Sequence, residues 1–393
     1  MNLAPDTHAT SRRAWLAVIA VGLATFSVVS TEMLPVGLLD AIAADLGTSN
    51  GRAGLMMSLP ALLAAGFSPL VVIVSGNLDR RKILCGLLAL LALANLTSAL
   101  AINLGGMLAA RALLGFCIGG IWAIAGGLAA RLVPGHALGL ATSVIFGGVA
   151  AASVLGVPLG AMIGELAGWR WAFGSMALFS GLVLVLHGAV LPALPVSGST
   201  ALRHFRAQWH NRQLRTGLLL TLLLVAGHFI AFTFVRPLLL TFPAFDSQWI
   251  GMLLFAYGVA GVAGNFLAGM HAARHTRATV AAIAMGLLAA PLLFLGLGHT
   301  PAGGAILLLA WGLAYGGVSV GLMTWMMKAA PRAVEIAAAL YVSVFNIGIA
   351  LGSWAGGHSV DRLGLAGNLW LAAGFAAAAL LLALRSKPFT GNE

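Results

Sequence analysis

Three ionisable side chains stand inside long apolar stretches of this 393-residue chain: Glu32, Arg111 and Arg236. A charged side chain at the centre of a bilayer costs about 2.5–3.5 kcal/mol on insertion scales, so each marks a site of function by default. Glu32 follows an apolar or small-residue run from Ala14 to Thr31 and precedes another from Met33 to Leu39. A carboxyl removed from water in this way responds strongly to its surroundings and suits the binding and release of a proton. The plainer alternative is a carboxylate that reaches the interface or pairs structurally with an arginine. Arg111 lies one turn into its own stretch. There it would hold Glu32 ionised in one conformation and lose contact in another, turning a change of shape into a proton step; snorkelling to the interface is the plainer alternative. Glu32 and Arg111 are thus the candidate proton-coupling pair. Arg236 stands beside Pro237, where the missing N–H opens the helix ladder to a cavity, and a substrate-facing cation is the expectation there.

What must hold these residues follows from composition. The chain is 60% hydrophobic and 8% charged, far below the ~25% charged residues with which a soluble domain covers itself. Its outer surface must therefore face lipid. Crossing ~30 Å of hydrocarbon takes ~20 apolar residues. Twelve stretches qualify, at approximately 14–39, 53–75, 83–102, 106–130, 137–163, 170–191, 216–241, 249–270, 278–298, 302–327, 333–357 and 365–384. Backbone groups in lipid must be satisfied within a segment, so these are helices and the fold is all-α and polytopic. The first stretch follows Arg12 and Arg13 but outruns a 7–15 residue signal core, so it reads as an uncleaved span.

The net charge of +11 invites a nucleic-acid partner, but its placement speaks for topology. With the N-terminus inside, sixteen Lys and Arg fall on the cytoplasmic side and only Arg52, Arg170 and Arg362 outside. That asymmetry places both termini in the cytoplasm of a bacterial inner membrane. Cys85 and Cys117 lie in apolar helices without disulfide or metal spacing. Neither a polar catalytic cluster nor a phosphate-binding loop is present, so an enzyme, an ATP-driven pump and a resident cofactor are not expected.

The longest polar break, near Pro192–Arg215, divides the chain into halves at 1–191 and 216–393, joined by a 192–215 linker. Gly115, Gly119, Gly120, Arg131 and Pro134 recur 197 residues later as Gly312, Gly316, Gly317, Lys328 and Pro331. Weaker echoes join Thr31 and Pro35 to Thr233 and Pro237. Two parallel six-span repeats are the layout of the major facilitator fold, with the solute site near midplane between them. In register, Glu32 corresponds to Phe234, Arg111 to Leu308 and Arg236 to Leu34. Proton handling is therefore expected in the first half alone. By the pseudo-symmetry, the cavity walls present Trp122, His228, Arg236, Tyr315, Thr324 and Trp325, the last near a cytoplasmic helix end, with Asn346 as a further polar liner. Aromatic faces suit planar heterocycles, and hydrogen-bonding groups suit a ribose. For any one of them, packing or an interfacial aromatic belt is the plainer alternative.

Sequence strings also carry a resemblance. SGNLDRRK (Ser75–Lys82), LAARALLGFCIGG (Leu108–Gly120) and the glycine-rich run Gly148–Gly164 resemble signatures of the major facilitator superfamily. STEMLP (Ser30–Pro35), PLGAMIGELAGWRWAF (Pro158–Phe173) and FTFVRP (Phe232–Pro237) are similar to its twelve-span drug:proton antiporter group, above all to purine ribonucleoside exporters. The resemblance implies conformational gating by Gly76, Asp79 and Arg80, and by Gly156, Pro158 and Gly160 of the antiporter-like fifth span. It implies a monomeric, proton-coupled antiporter exporting a small organic solute, with purine ribonucleosides or analogues as candidates. Sugar or multidrug exporters of the same superfamily, or an uncoupled facilitator, are the alternatives. A single cysteine placed in the 192–215 segment should resist an impermeant thiol reagent applied to intact cells; efficient labelling would overturn the topology.

Overall fold

Hydrocarbon gives backbone groups no partners, and the chain answers with helix throughout. The computed structural model describes residues 12–74, 78–134, 137–194, 211–242, 245–331 and 333–386. The first half runs α1 (Arg12–Met33), a 3₁₀ turn (Leu34–Gly37), α2 (Leu39–Asp45), α3 (Asn50–Ala53), α4 (Leu55–Val74), α5 (Arg80–Ala99) and α6 (Leu104–Leu132). Then come α7 (Leu138–Ala151), a π-turn (Ala152–Gly156), α8 (Val157–Ala167) and α9 (Trp169–Val190). The second half runs α10 (Arg212–Phe232), α11 (Val235–Thr241), α12 (Ile250–Leu297), α13 (Pro301–Gly316), α14 (Val318–Ala329) and α15 (Val334–Arg385). Ten stretches of the described residues are long and apolar enough to cross a membrane. Ile336–Arg385, the last of these, is broken at Gly364 (φ 70°) and crosses twice, and the 20-residue α4 adds another, giving twelve spans in all.

The breaks follow from residue chemistry. Pro35 ends α1 in a 3₁₀ turn, and Pro237 sits just inside α11 at the corresponding break of the second half. Pro158 removes an N–H from the fifth span, and the wider π-turn immediately before it absorbs the loss. The polar break read between the eighth and ninth stretches falls at a kink: α12 is interrupted at His275 (φ −128°, ψ 53°), and Ser247–Ala272 and Arg274–Leu297 on either side of it are separate spans. Left-handed backbone at Gly168 (φ 91°) turns α8 into α9, a conformation that costs glycine little.

The repeated glycines do the same work in each half. A Cβ on Gly115 would lie 2.7 Å from the Pro60 carbonyl of α4, and one on Gly312 would lie 2.5 Å from the Tyr257 carbonyl of α12. Gly119 meets Ala64 of α4, while Gly316 meets Gly261 of α12. Gly120 and Gly317 then receive Leu87 of α5 and Ile283 of α12. Small residues let backbones touch where lipid supplies no hydrophobic drive, and these contacts weld two equivalent helix bundles.

Each bundle has its own core. One gathers Val21, Leu88, Ile118 and Ile145; the other gathers Leu224, Phe229, Trp311 and Leu322. Val36, Met57, Ala61, Val157 and Ala161 of the first half join the second core, and Phe234 joins Leu34, Leu38 and Met56. These shared residues lie toward one end of the molecule, which we call the Arg236 end; the opposite one is the Asp79 end. Large side chains such as Phe266, Leu178 and Val185 face outward, as a lipid-facing surface requires. Gly316→Ala should push α13 away from Gly261 and lower the Tm in detergent, at a cost of about 1–3 kcal/mol. Gly296→Ala, where a Cβ meets open space, should leave the Tm unchanged; equal effects would contradict the packing.

Candidate functional site

Arg111, in α6, is fully buried and gives its donors to backbone rather than to a carboxylate. Nε donates to the Met56 carbonyl at 3.0 Å, Nη1 to Thr31 at 2.8 Å and Nη2 to Glu32 at 2.8 Å. Two of these carbonyls lack their helical donor for one reason. Thr31 lies four residues before Pro35 and Met56 four before Pro60, and proline has no N–H to complete the i→i−4 bond. One guanidinium thus repairs two proline breaks and ties α1, α4 and α6 together. Its planar fork is what lets it reach three acceptors at once.

Glu32 is 5% exposed. Its carboxyl has no hydrogen bond and no ion pair among the described residues. Arg111 lies within electrostatic reach of this carboxylate but makes no ion pair with it here; its hydrogen bond goes to the Glu32 backbone carbonyl. Met33, the next residue, packs against both cores, and the Tyr315 phenol of the second half lies within electrostatic reach of Glu32. Glu32 therefore sits at the seam between the halves.

A polar cluster missed in the sequence backs this segment. Asn95 of α5 donates to Thr31 Oγ1 at 3.0 Å and to Ser180 Oγ at 3.4 Å, and Ser180 meets Ser27 at 2.8 Å. Asn95 Oδ1 is buried and unpartnered. An amide inside an apolar stretch was the signal that would have found it.

Arg236 has its donors engaged by the other half. Nε pairs with Asp40 of α2, Nη1 reaches the Gly37 carbonyl at 3.3 Å, and Nη2 reaches Glu165 of α8 at 3.3 Å. Ser247 donates to the second Glu165 oxygen. A second cross-half contact lies at the same end. Asp361 of α15 accepts from Ser49 Oγ at 2.7 Å and from the Gly51 N–H at 3.0 Å. Its carboxylate thus faces the start of α3, where free N–H groups and the helix dipole favour negative charge. Gly51 and Gly357 touch beside it, closely enough that a Cβ on either would collide with the other's backbone. The sequence reading gave Arg236 to the solute and did not single out Asp40, Glu165 or Asp361. A charge at a span's end reads as topology, and its partner is invisible along the chain.

At the opposite end, Asp79 caps its own α5 through Arg81 N–H at 2.9 Å and accepts from Leu194 N–H at 2.8 Å. The Leu194 bond comes first among the causes holding its carboxyl below the ordinary carboxylate range, ahead of the Arg81 N–H and nearby basic charge. With the folded pKa depressed, this contact stabilises above the ordinary range and is lost as pH falls through the lowered value. Arg80 N–H bonds the Leu194 carbonyl at 3.1 Å. Gly76 lies outside the described residues. Gly156 and Gly160 receive Ser30 and Leu34 at the α1 interface, and Pro158 is buried just after the π-turn.

Of the expected wall residues, His228 and Tyr315 come together, with stacked rings 3.4 Å apart at 10°. Phe232, Tyr257 and Trp311, not singled out in the sequence, complete the cluster. Trp122 belongs to the first half and packs on Phe146 at 6.1 Å. Thr324 and Asn346 bond carbonyls four residues back, at 2.8 and 3.0 Å. Arg111→Met should lower the Tm in detergent, since each buried carbonyl left unpaired costs about 1–3 kcal/mol. Pro60→Ala restores a donor to Met56 and should recover part of that loss in the Arg111→Met background. The absence of any coupling between the two substitutions would contradict the repair role.

Comparison with known proteins agrees with this architecture. The Major Facilitator Superfamily model matches residues 21–353. The chain is 34% identical over 372 residues to the transcription regulatory protein OpdE of Pseudomonas aeruginosa, covering 94% of this chain and 91% of that one. It is 30% identical over 364 residues to the purine ribonucleoside efflux pump NepI of Salmonella paratyphi B, covering 93% and 92%. Among solved structures, a bacterial homologue of the human lysosomal transporter Spinster, inward-facing and occupied, superposes with a TM-score of 0.77 at 15% identity, covering 96% and 98%. The nucleoside transporter NupG gives 0.76 at 14% identity, covering 94% and 98%. With the fold, the paired bundles and the family match in agreement, the chain belongs to the Major Facilitator Superfamily of membrane transporters.

Proposed function

We propose that this transporter is a proton-coupled antiporter that exports a small organic solute, with purine ribonucleosides as the favoured class. The observation that carries the reading is the buried Glu32 carboxyl, without a hydrogen bond or ion pair among the described residues, beside an arginine whose three hydrogen bonds all go to backbone. Such a carboxyl can change protonation without breaking the structure around it. Its place at the seam exposes it to whatever change brings the halves together or apart. The NepI likeness over nearly the whole chain favours a purine ribonucleoside, and the aromatic cluster offers planar faces to a base.

In this reading, residues 1–191 and 216–393 rock as two bodies about the solute site, joined by the 192–215 linker. The Arg236–Asp40–Glu165 clasp and the Asp361 cap hold the periplasmic end shut, so the conformation is inward-facing. Asp79, Arg80 and Gly76 form the latch of the opposite state, and the glycines around Pro158 let α8 shift against α1. The protein works as a monomer in the bacterial inner membrane with both termini in the cytoplasm. A DNA-binding role, which the name of the Pseudomonas relative evokes, is not adopted. The basic residues are spread over the helix ends of one side instead of being gathered on one face.

Everted inner-membrane vesicles with an imposed proton gradient test the proposal, with inosine, guanosine, a disaccharide and a cationic dye as solutes. Purine ribonucleosides should accumulate against their gradient, and Glu32→Gln should reduce this to passive exchange at unchanged protein level. Accumulation of the dye or sugar instead would replace the solute class; undiminished uphill transport by Glu32→Gln would remove Glu32 from coupling.

A further inference from the structure

His228 of α10 is 2% exposed, and its two nitrogens have different fates. Nδ1 lies 3.1 Å from the indole Nε1 of Trp311 in α13. An indole nitrogen is a donor only, so Nδ1 must be the acceptor and cannot carry a proton while this bond stands. In a neutral imidazole the hydrogen then belongs on Nε2. An imidazolium would set an Nδ1–H against the indole N–H, donor against donor. The ring cannot swing away to relieve this. It stacks on Tyr315 at 3.4 Å and on Phe232 at 4.6 Å, with Phe229 edge-on at 5.0 Å.

The group left over is the informative one. Among the described residues Nε2 is buried without a hydrogen-bond partner, and so is the hydroxyl of Tyr257, whose ring stacks on Phe232 at 4.8 Å. Buried polar groups are almost always paired, and an orphan calls for an explanation. No carboxylate bonds or ion-pairs with His228 among the described residues. The titratable groups around it are Tyr315 of α13 and Tyr257 of α12, with Tyr341 of α15 and Glu32 of α1 beyond Tyr315.

We infer that Trp311 locks His228 as a neutral Nε2–H donor, and that this donor selects solutes carrying a hydrogen-bond acceptor on the edge of a planar ring. The inference rests on the transport reading above and adds a division of labour within it. Glu32 handles the proton, while His228 is kept out of titration and recognises the solute. A site built around a buried donor rejects an analogue lacking the acceptor far more strongly than an apolar pocket rejects a missing methylene. It also rejects a donor presented at the same place. In inosine the acceptors on the base edge away from the ribose are the 6-oxo oxygen and N7.

Two measurements test this. ¹⁵N-histidine NMR of the full chain, with His228 assigned by difference against His228→Gln, reads the tautomer directly. Between about pH 5.5 and 8, where free histidine titrates, His228 should stay neutral with its hydrogen on Nε2. In Trp311→Phe the fixed tautomer should be lost, with an Nδ1–H population appearing beside Nε2–H, a change that loss of packing alone would not produce. Titration or an Nδ1–H form in the wild type would overturn the lock. The second measurement is equilibrium binding of inosine, nebularine (no 6-oxo group) and 7-deazainosine (no N7). One analogue should bind wild type about tenfold or more weakly than inosine. The gap should persist in His228→Gln, which keeps a donor, and close in His228→Leu. An unchanged gap in His228→Leu would overturn the donor role. Wild type that binds none of the three overturns the purine reading instead, and the NMR result then decides the lock alone.

Discussion

Inside a bilayer no backbone carbonyl can turn to water for a donor, and this chain breaks two of its own ladders with Pro35 and Pro60. The side chain that makes both breaks tolerable is Arg111, whose fork reaches Thr31, Glu32 and Met56. Much else depends on that bond set. It fixes the kink of α1 against α4 and α6, so the turn that carries Glu32, Met33 and Leu34 to the seam has a defined course. It also commits the cation to backbone. Three of its five N–H donors go to carbonyls and none bonds the nearby carboxyl, and a group without a structural bond is the one free to gain or lose a proton.

The same pairing rule, applied between the halves, accounts for the closed end. Arg236 is nearly buried, and its donors meet Asp40, Gly37 and Glu165 of the other half. Asp361 supplies an acceptor to Gly51 N–H, a donor at the helix start that no turn of its own helix can satisfy. Each clasp is polar, and both carboxylates around Arg236 are about one-third exposed. Such pairs are weak in water and can exchange partners, unlike the close glycine-to-backbone contacts that weld each bundle and that also join the halves at Gly51 and Gly357. Extensive packing within each half, with a polar and small-residue seam between the halves at the Arg236 end, is the division a rocking transporter needs.

The fold was largely legible because its signals are compositional or periodic. Apolar runs mark the spans, and the glycines at 115, 119 and 120 recur at 312, 316 and 317, where the second bundle uses them in the same way. Glu32 and Arg111 stood out because charge inside an apolar run is costly. Their partners did not stand out. The carbonyls that Arg111 repairs belong to residues 55 and 80 positions away, and their need arises from prolines that look like ordinary kinks. Arg236 was legible as a buried cation, but Asp40 and Glu165 sit at span ends, where charge reads as topology. His228 was legible as a wall residue; the Trp311 bond that sets its tautomer spans 83 positions and leaves no local pattern. The break near His275 was legible as a short basic interruption between two apolar runs, and the chain makes it with a single non-helical residue.

The central claim is that the unpartnered carboxyl of Glu32 exchanges a proton while the arginine beside it remains structural. pH-difference infrared spectroscopy of the purified protein in lipid tests it most directly. The account predicts a carboxylic-acid carbonyl band that grows on acidification in the wild type and is missing from Glu32→Gln. Identical difference spectra for the two proteins would contradict it.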